Sequence, residues 1–204
     1  MPKTHEQKIG EIQEWLGPGS LNFFGPPLGG KDTHGERFAS YFGVPLLGGG
    51  DILRKNPAVP APVRAQMDRG ELVSSADYRA IVVPFLGRAV LPTQPLVLSA
   101  VGRLSEEQAA VIEATDRGGH PIRAVPYLQV SDAEVRRRIE QASRGRADDT
   151  PEALKTRLEE FYTGTMPVID RYEEMDLLVP VPGEGSVEEV HNNLIHALYV
   201  LATA

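Results

Sequence analysis

The chain has 204 residues, 41% hydrophobic and 24% charged, a composition typical of a globular protein with one substantial core. Its 21 basic and 28 acidic residues give a net charge of −7, which disfavours binding to nucleic acid. The absence of cysteine excludes disulfides, thiolate catalysis and cysteine-bearing zinc sites. No run approaches the ~18 apolar residues of a membrane span, so we expect one cytoplasmic domain without membrane contact.

Apolar spacing predicts helices that alternate with short strands. In chain order we expect helix 4–16, strand 21–24, helix 32–42, strand 44–47, helix 77–89, strand 96–98, helix 105–115, strand 124–130, helices 131–143 and 151–175, strand 177–181 and helix 187–201. The proline-containing stretch 51–75 is expected to be a loop-rich, mobile insert, and Pro167 should bend helix 151–175. Five strands alternating with helices predict an α/β fold with a doubly wound parallel sheet.

A glycine-rich segment, Gly25-Pro26-Pro27-Leu28-Gly29-Gly30-Lys31, follows the first predicted strand and precedes a helix. Gly-x-x-x-x-Gly-Lys in this context is typical of a phosphate-binding P-loop. Glycines let backbone N–H groups point at phosphate oxygens, the helix N-terminus favours anions, and Lys31 can reach the β- and γ-phosphates. A glycine-rich turn that binds nothing is the alternative. No Gly-x-Gly-x-x-Gly follows the strand, which excludes a dinucleotide-binding loop.

Five segments together resemble the adenylate kinase family and its nucleoside monophosphate kinase relatives. They are GPPLGGKDT at 25–33, GGGDILR at 48–54, MDRGELVS at 67–74, the Gly102-Arg103 turn, and RGRADDTPEALKTRLEEFY at 144–162. The resemblance covers roughly residues 20–190. It implies a P-loop NTPase-type kinase domain over 1–204, with a helical extension at 1–19. It also implies an insert at 48–76 that binds the nucleoside monophosphate (NMP), and a very short lid at 143–151.

The resemblance implies roles for residues at both substrates. For ATP it implies contacts from the phosphate loop, from an arginine over the base and from a carbonyl at the adenine: Leu28, Gly29, Gly30, Lys31, Asp32, Thr33, Arg138 and Gly185. For the NMP it implies Gly49, Arg54, Glu71, Leu72, Val73, Arg103, Gln108, Arg146 and Arg157. Gln108 would read the acceptor base, although aligning it needs one inserted residue. The catalytic set would be Lys31, Arg103, Arg146 and Arg157.

The activity implied by the resemblance is Mg²⁺-assisted transfer of the γ-phosphoryl group of ATP to AMP, giving two ADP. An NMP acceptor is already anionic at neutral pH, so transfer depends on positioning and charge neutralisation rather than a general base. Another acceptor (CMP, UMP or GMP) and a nucleotide-binding protein without turnover are the alternatives. We expect nucleotides as partners, Mg²⁺ and no zinc as cofactor, and a monomer.

Three positions depart from the family pattern. Ser99-Ala100-Val101-Gly102-Arg103 stands where the family has Asp-Gly-Phe-Pro-Arg, so a carboxylate is missing, while Asp32 replaces the glycine after the lysine. We hypothesise that Asp32, with Asp51, holds hydrated Mg²⁺ through water. The alternative is that Asp32 only compensates the dipole of its helix. Gly49 replaces a threonine that helps to read adenine, which leaves the choice of acceptor open.

Overall fold

A computed structural model describes residues 3–55, 59–68, 73–88, 91–141 and 151–204 of the chain. In chain order its elements are α1 His5–Leu16, β1 Ser20–Phe23, α2 Lys31–Phe42, β2 Leu46–Gly48, α3 Gly49–Lys55, α4 Ala61–Asp68, α5 Ser75–Leu86, β3 Leu96–Ser99, α6 Ser105–Arg117, β4 Ile122–Gln129, α7 Asp132–Gln141, α8 Pro151–Glu160, a π-helical turn Phe161–Thr165, α9 Met166–Glu174, β5 Leu178–Pro182 and α10 Val187–Ala202. No helix within these ranges is long and apolar enough to cross a membrane.

The five strands form a parallel sheet in the order β2-β3-β1-β4-β5. β1 lies at its centre, with Ser20 opposite Leu96 of β3 and Ile122 of β4. The chain therefore changes direction across the sheet next to β1, where ligands bind in open α/β folds, at the carboxyl ends of the strands. The predicted doubly wound parallel sheet is confirmed.

Both faces of the sheet are buried, as expected when crossover helices cover a parallel sheet. Along β3 the side chains alternate between two apolar layers. Leu96 and Leu98 pack into a layer with α3, α5, α6 and α9, whereas Val97 packs into the opposite layer with α1, α2 and α10. This sandwich holds the strand ends rigidly, so loops that leave them can place side chains accurately.

The N-terminal helix α1 is part of the second layer. Thr4 and Gln7 form a reciprocal capping box at its start, and Ile12 and Leu16 are buried in the layer that α10 shares. Helix α1 of the predicted N-terminal extension thus contributes buried apolar side chains to the core, shortly before β1 begins.

One prediction of local structure needs correction. The stretch 51–75 was expected to be loop-rich, but its described residues include α3 and α4, which bury Ile52, Leu53 and Val63. Pro62 lies in the first turn of α4, where a missing N–H costs no helical hydrogen bond. The predicted helix 151–175 is divided into α8 and α9 by the π-helical turn Phe161–Thr165, which ends two residues before Pro167, the residue at which a bend was predicted.

Candidate functional site

The loop between β1 and α2 is shaped by two residues in the left-handed region, Leu28 with φ 59° and Gly30 with φ 96°. Gly29 donates its N–H to the carbonyl of Pro26 at 2.9 Å, and a Cβ there would lie 2.9 Å from the same oxygen. Gly30 is the N-cap of α2 and offers no side chain to its first N–H groups. The helix N-terminus is therefore available to an anion, as the sequence predicted.

Lys31 brings positive charge to this loop. Burial lowers the pKa of Lys31 below its ordinary value; the adjacent Asp32 opposes the shift, and the charges of Arg157 and Arg103 lower the pKa further. Lys31 belongs to α2, Arg157 to α8 and Arg103 to the turn after β3, and both arginines lie within electrostatic range of Lys31. Their mutual repulsion favours a polyanion among them.

Asp32, on the first turn of α2, is fixed from two sides. One carboxylate oxygen lies 3.3 Å from the Lys31 ammonium, and the other accepts a hydrogen bond from the Ser99 hydroxyl at the end of β3. Asp32 and Ser99, two positions at which the chain departs from the family pattern, are therefore in direct contact. Neighbouring strands β1 and β3 create this contact, because α2 starts just beyond β1.

The turn that carries Arg103 is clamped to the centre of the sheet. The Asn22 amide, fully buried on β1, donates to the Val101 carbonyl at 2.8 Å and accepts the Val101 N–H at 3.2 Å. Gly102, with φ 72°, donates its N–H to the Tyr78 hydroxyl at 3.0 Å. A proline at position 102, as in the family pattern, could neither adopt this φ nor donate this hydrogen bond.

We expect Gly102→Ala to destabilise the protein more than Gly43→Ala. Both glycines have left-handed φ values, 72° and 67°, but a Cβ at 102 would lie 2.9 Å from Val111 Cγ2, whereas position 43 is open. Each substitution should cost about 1 kcal/mol for the backbone, and Gly102→Ala a further ~1–3 kcal/mol for overpacking. Urea denaturation measures both; equal losses would contradict the expected contact.

Two further arginines have defined partners. Arg138 on α7 donates to the carbonyls of Leu28 at 3.1 Å and Gly183 at 2.9 Å, and Glu134 accepts from it at 2.7 Å. Its guanidinium thus ties the phosphate loop to the loop after β5. Arg54, mostly exposed on α3, pairs with Asp51 at 3.2 Å, so it faces solvent before any ligand binds.

The loop after β5 carries Gly185, predicted to meet the ATP base. Its φ of 115° requires glycine, and a Cβ would lie 3.0 Å from the Glu189 carboxylate. Thr33 is exposed on the first turn of α2, next to the loop. The predicted ATP residues thus lie on the phosphate loop and the start of α2, on α7 and on the loop after β5, and Arg138 joins these segments.

On the acceptor side, the structure overturns the prediction for Gln108. Its side chain is 1% exposed, and its amide donates to the Val168 carbonyl of α9 at 2.9 Å, so it lies in the core where no base can reach it. Val73 is half-buried next to α5. Glu71, Leu72 and Arg146, together with almost all of the lid predicted at 143–151, lie outside the described residues.

Gly49 begins α3 and lies beside an aromatic side chain from α5. A Cβ at Gly49 would lie 2.5 Å from the Tyr78 hydroxyl, so the family's threonine could not be accommodated here without moving Tyr78. Burial raises the pKa of Tyr78 above its ordinary value, which keeps this hydroxyl neutral. The phenol therefore occupies space that a side chain at position 49 would take.

Sequence spacing does not reveal a buried histidine pair behind the phosphate loop. His34 of α2 and His191 of α10 stack at 5.5 Å, with their Nδ1 atoms 3.3 Å apart, and His191 Nε2 lies 2.9 Å from the Tyr41 hydroxyl. Burial lowers the pKa of each histidine to about 4. The only sequence signal is that His34 and Phe38 share a helix face, which is too weak to identify a partner on α10.

This pair should make stability depend on pH. The folded protein keeps both rings neutral down to about pH 4, whereas the unfolded chain protonates them near pH 6.5. The contribution of this pair to the free energy of unfolding is therefore fully present above pH 6.5 and should be lost as the pH falls towards 4. Urea denaturation of the wild type and of His34→Gln/His191→Gln tests this; the double variant should show the flatter profile. Parallel profiles would contradict the assignment.

Comparison with known proteins agrees with this geometry. A family model described as adenylate kinase matches residues 23–177. An adenylate kinase of Synechococcus sp. (strain CC9902) is 35% identical over 182 residues, covering 87% of this chain and 97% of the relative. One from Xanthomonas euvesicatoria pv. vesicatoria (strain 85-10) is 33% identical over 184 residues, with 87% and 98% covered. The chain therefore belongs to the adenylate kinase family.

Proposed function

We propose that this protein is a phosphotransferase that moves the γ-phosphoryl group of ATP to a nucleoside monophosphate, with AMP as the acceptor. One feature carries the proposal: Arg103 and Arg157 lie close enough to Lys31 for their charges to lower its pKa, at the start of a helix whose N-cap residue, Gly30, has no side chain. Its relatives named adenylate kinase span almost the same length and agree with this reaction.

The residue types match the chemistry that the reaction needs. Charge on the transferring phosphoryl group is spread over equatorial oxygens, and fixed cations can neutralise it without proton transfer. We assign the β- and γ-phosphates to Lys31 and the first turn of α2. We assign the transferring group and the acceptor phosphate to Arg103 and Arg157, with Arg146 and Arg54 as further contacts.

Mg²⁺ is the cofactor that these residues fit. Magnesium keeps several waters and is held by one or two carboxylates together with substrate phosphates. Asp32 supplies a carboxylate 3.3 Å from the phosphate-binding lysine. When bound with ATP, the ion would neutralise charge on the phosphates, while Asp32 would hold its water shell in place.

The other proposals concern the molecule as a whole. We propose that residues 48–76 form the NMP-binding insert and 143–151 a short lid that excludes water during transfer. We also propose a cytoplasmic monomer, with neither nucleic acid nor membrane as partner.

The choice of acceptor is the part of the proposal with a specific rival. Tyr78 occupies the space beside Gly49, and Gln108 lies in the core, so neither position reads adenine as the family pattern implies. A kinase for CMP, UMP or GMP is therefore the second candidate.

The test is ADP formation from Mg·ATP with AMP, CMP, UMP and GMP in turn. We expect turnover with AMP and a kcat/KM at least tenfold lower for the other three. Preference for another acceptor would select the second candidate. Tight ATP binding without turnover on any acceptor would identify a nucleotide-binding protein instead.

A further inference from the structure

The Asp32 carboxylate occupies an unusual place for an acidic group, directly beside the lysine of a phosphate loop. One oxygen lies 3.3 Å from the Lys31 ammonium and the other accepts the Ser99 hydroxyl. Half of the Asp32 side chain is exposed, whereas Ser99 is 7% exposed at the end of β3. The buried serine therefore holds an accessible carboxylate against the loop.

This arrangement has a definite electrostatic consequence. Any phosphate that reaches the Lys31 ammonium also comes within a few ångströms of the Asp32 carboxylate, since the two groups nearly touch. Two anions at that separation repel each other in a partly buried site. A divalent cation that bridges them through its water shell turns the repulsion into attraction.

We propose that Asp32, positioned by Ser99, makes the donor site select the divalent-cation complex of the nucleotide and reject the metal-free nucleotide. The inference rests on the proposed function, because it assumes that the loop binds the phosphates of ATP. It gives Asp32 two opposite effects, weaker binding of free ATP and tighter binding of Mg·ATP. Ser99 is a positioning residue, which acts through Asp32.

The structure favours Asp32 over the second carboxylate considered, Asp51. Asp51 lies on α3 and pairs with the Arg54 guanidinium of the same helix at 3.2 Å, whereas the Asp32 carboxylate lies 3.3 Å from the lysine of the phosphate loop. If Asp32 served only as a first-turn acid of α2, replacing it would change the stability of the protein. The affinities for metal-free and metal-bound nucleotide would then change by the same factor.

The experiment is calorimetric titration of the full-length protein with ATP, once with excess Mg²⁺ and once with EDTA. The quantity compared is the ratio of the two dissociation constants, metal-free over metal-bound. The variants are Asp32→Asn, which removes the charge with little change in shape, Ser99→Ala and Asp51→Asn. Glu36→Gln is the matched control, since Glu36 is an exposed acid one turn further along α2.

We expect Asp32→Asn to lower this ratio at least tenfold, with tighter binding of free ATP and weaker binding of Mg·ATP. Ser99→Ala should shift the ratio in the same direction by a smaller factor, while Glu36→Gln and Asp51→Asn leave it unchanged. An unchanged ratio in Asp32→Asn, or a larger shift in Asp51→Asn, would overturn the inference. Failure of the wild type to bind ATP in either solution would instead contradict the proposed function.

Discussion

Replacing Lys31 with alanine should lower kcat for ADP formation by about 10³-fold, the loss typical of removing one fixed charge from a phosphoryl-transfer site. Lys31 lies within electrostatic range of Arg103 and Arg157. It directly follows Gly30, whose left-handed conformation shapes the phosphate loop. Without it, the first turn of α2 would still attract phosphate, but no ammonium would meet the charge that develops during transfer.

Folding should survive this substitution. Burial disfavours the charged form of Lys31 and lowers its pKa, so removing the ammonium relieves a desolvation cost. The ion pair that is lost, with the half-exposed Asp32 at 3.3 Å, is of a kind that contributes little to stability. We therefore expect a midpoint of thermal unfolding equal to or above that of the wild type. Lys3→Ala, at an exposed lysine of the N-terminal segment, is the matched control and should retain full activity. Activity of Lys31→Ala within tenfold of wild type would contradict the assigned role.

The fold was largely predictable from the sequence because each strand is a short apolar run and each helix an amphipathic one. Strand 96–98 and helix 187–201, for example, were expected within two residues of β3 and α10. The failure at 51–75 has a physical cause. Several prolines in a short stretch predict a break in helical structure, yet Pro62 lies in the first turn of α4, where proline is tolerated.

The site was predictable only where one local segment builds it. The conformation of the loop from Gly25 to Lys31 follows from its own residues. The contact between Ser99 and Asp32 joins residues 67 positions apart, so predicting it requires knowing that β1 and β3 are neighbours in the sheet. Gln108 failed for a different reason. Neighbouring residues in a helical turn point about 100° apart, and spacing alone could not show which of them faces the core.

Asn22 shows how the central strand supports the site, and its replacement by alanine should have two separable effects. The Val101 N–H and carbonyl would lose their buried partner, which should lower the free energy of unfolding by about 3 kcal/mol. Displacement of the turn that carries Arg103 should also lower kcat on the order of 10-fold to 100-fold, as small misplacements of a catalytic group do.

Ser20→Ala separates these effects. Ser20 is also fully buried on β1, but its hydroxyl donates to the His120 carbonyl at 3.0 Å, at the end of the strand remote from Arg103. Its removal should cost about 1 kcal/mol of stability and leave kcat unchanged. Denaturant unfolding and steady-state kinetics on both variants give the comparison. If Asn22→Ala lost stability but kept full turnover, the turn after β3 would be positioned by Tyr78 and the sheet alone, and Asn22 would serve the core rather than the site.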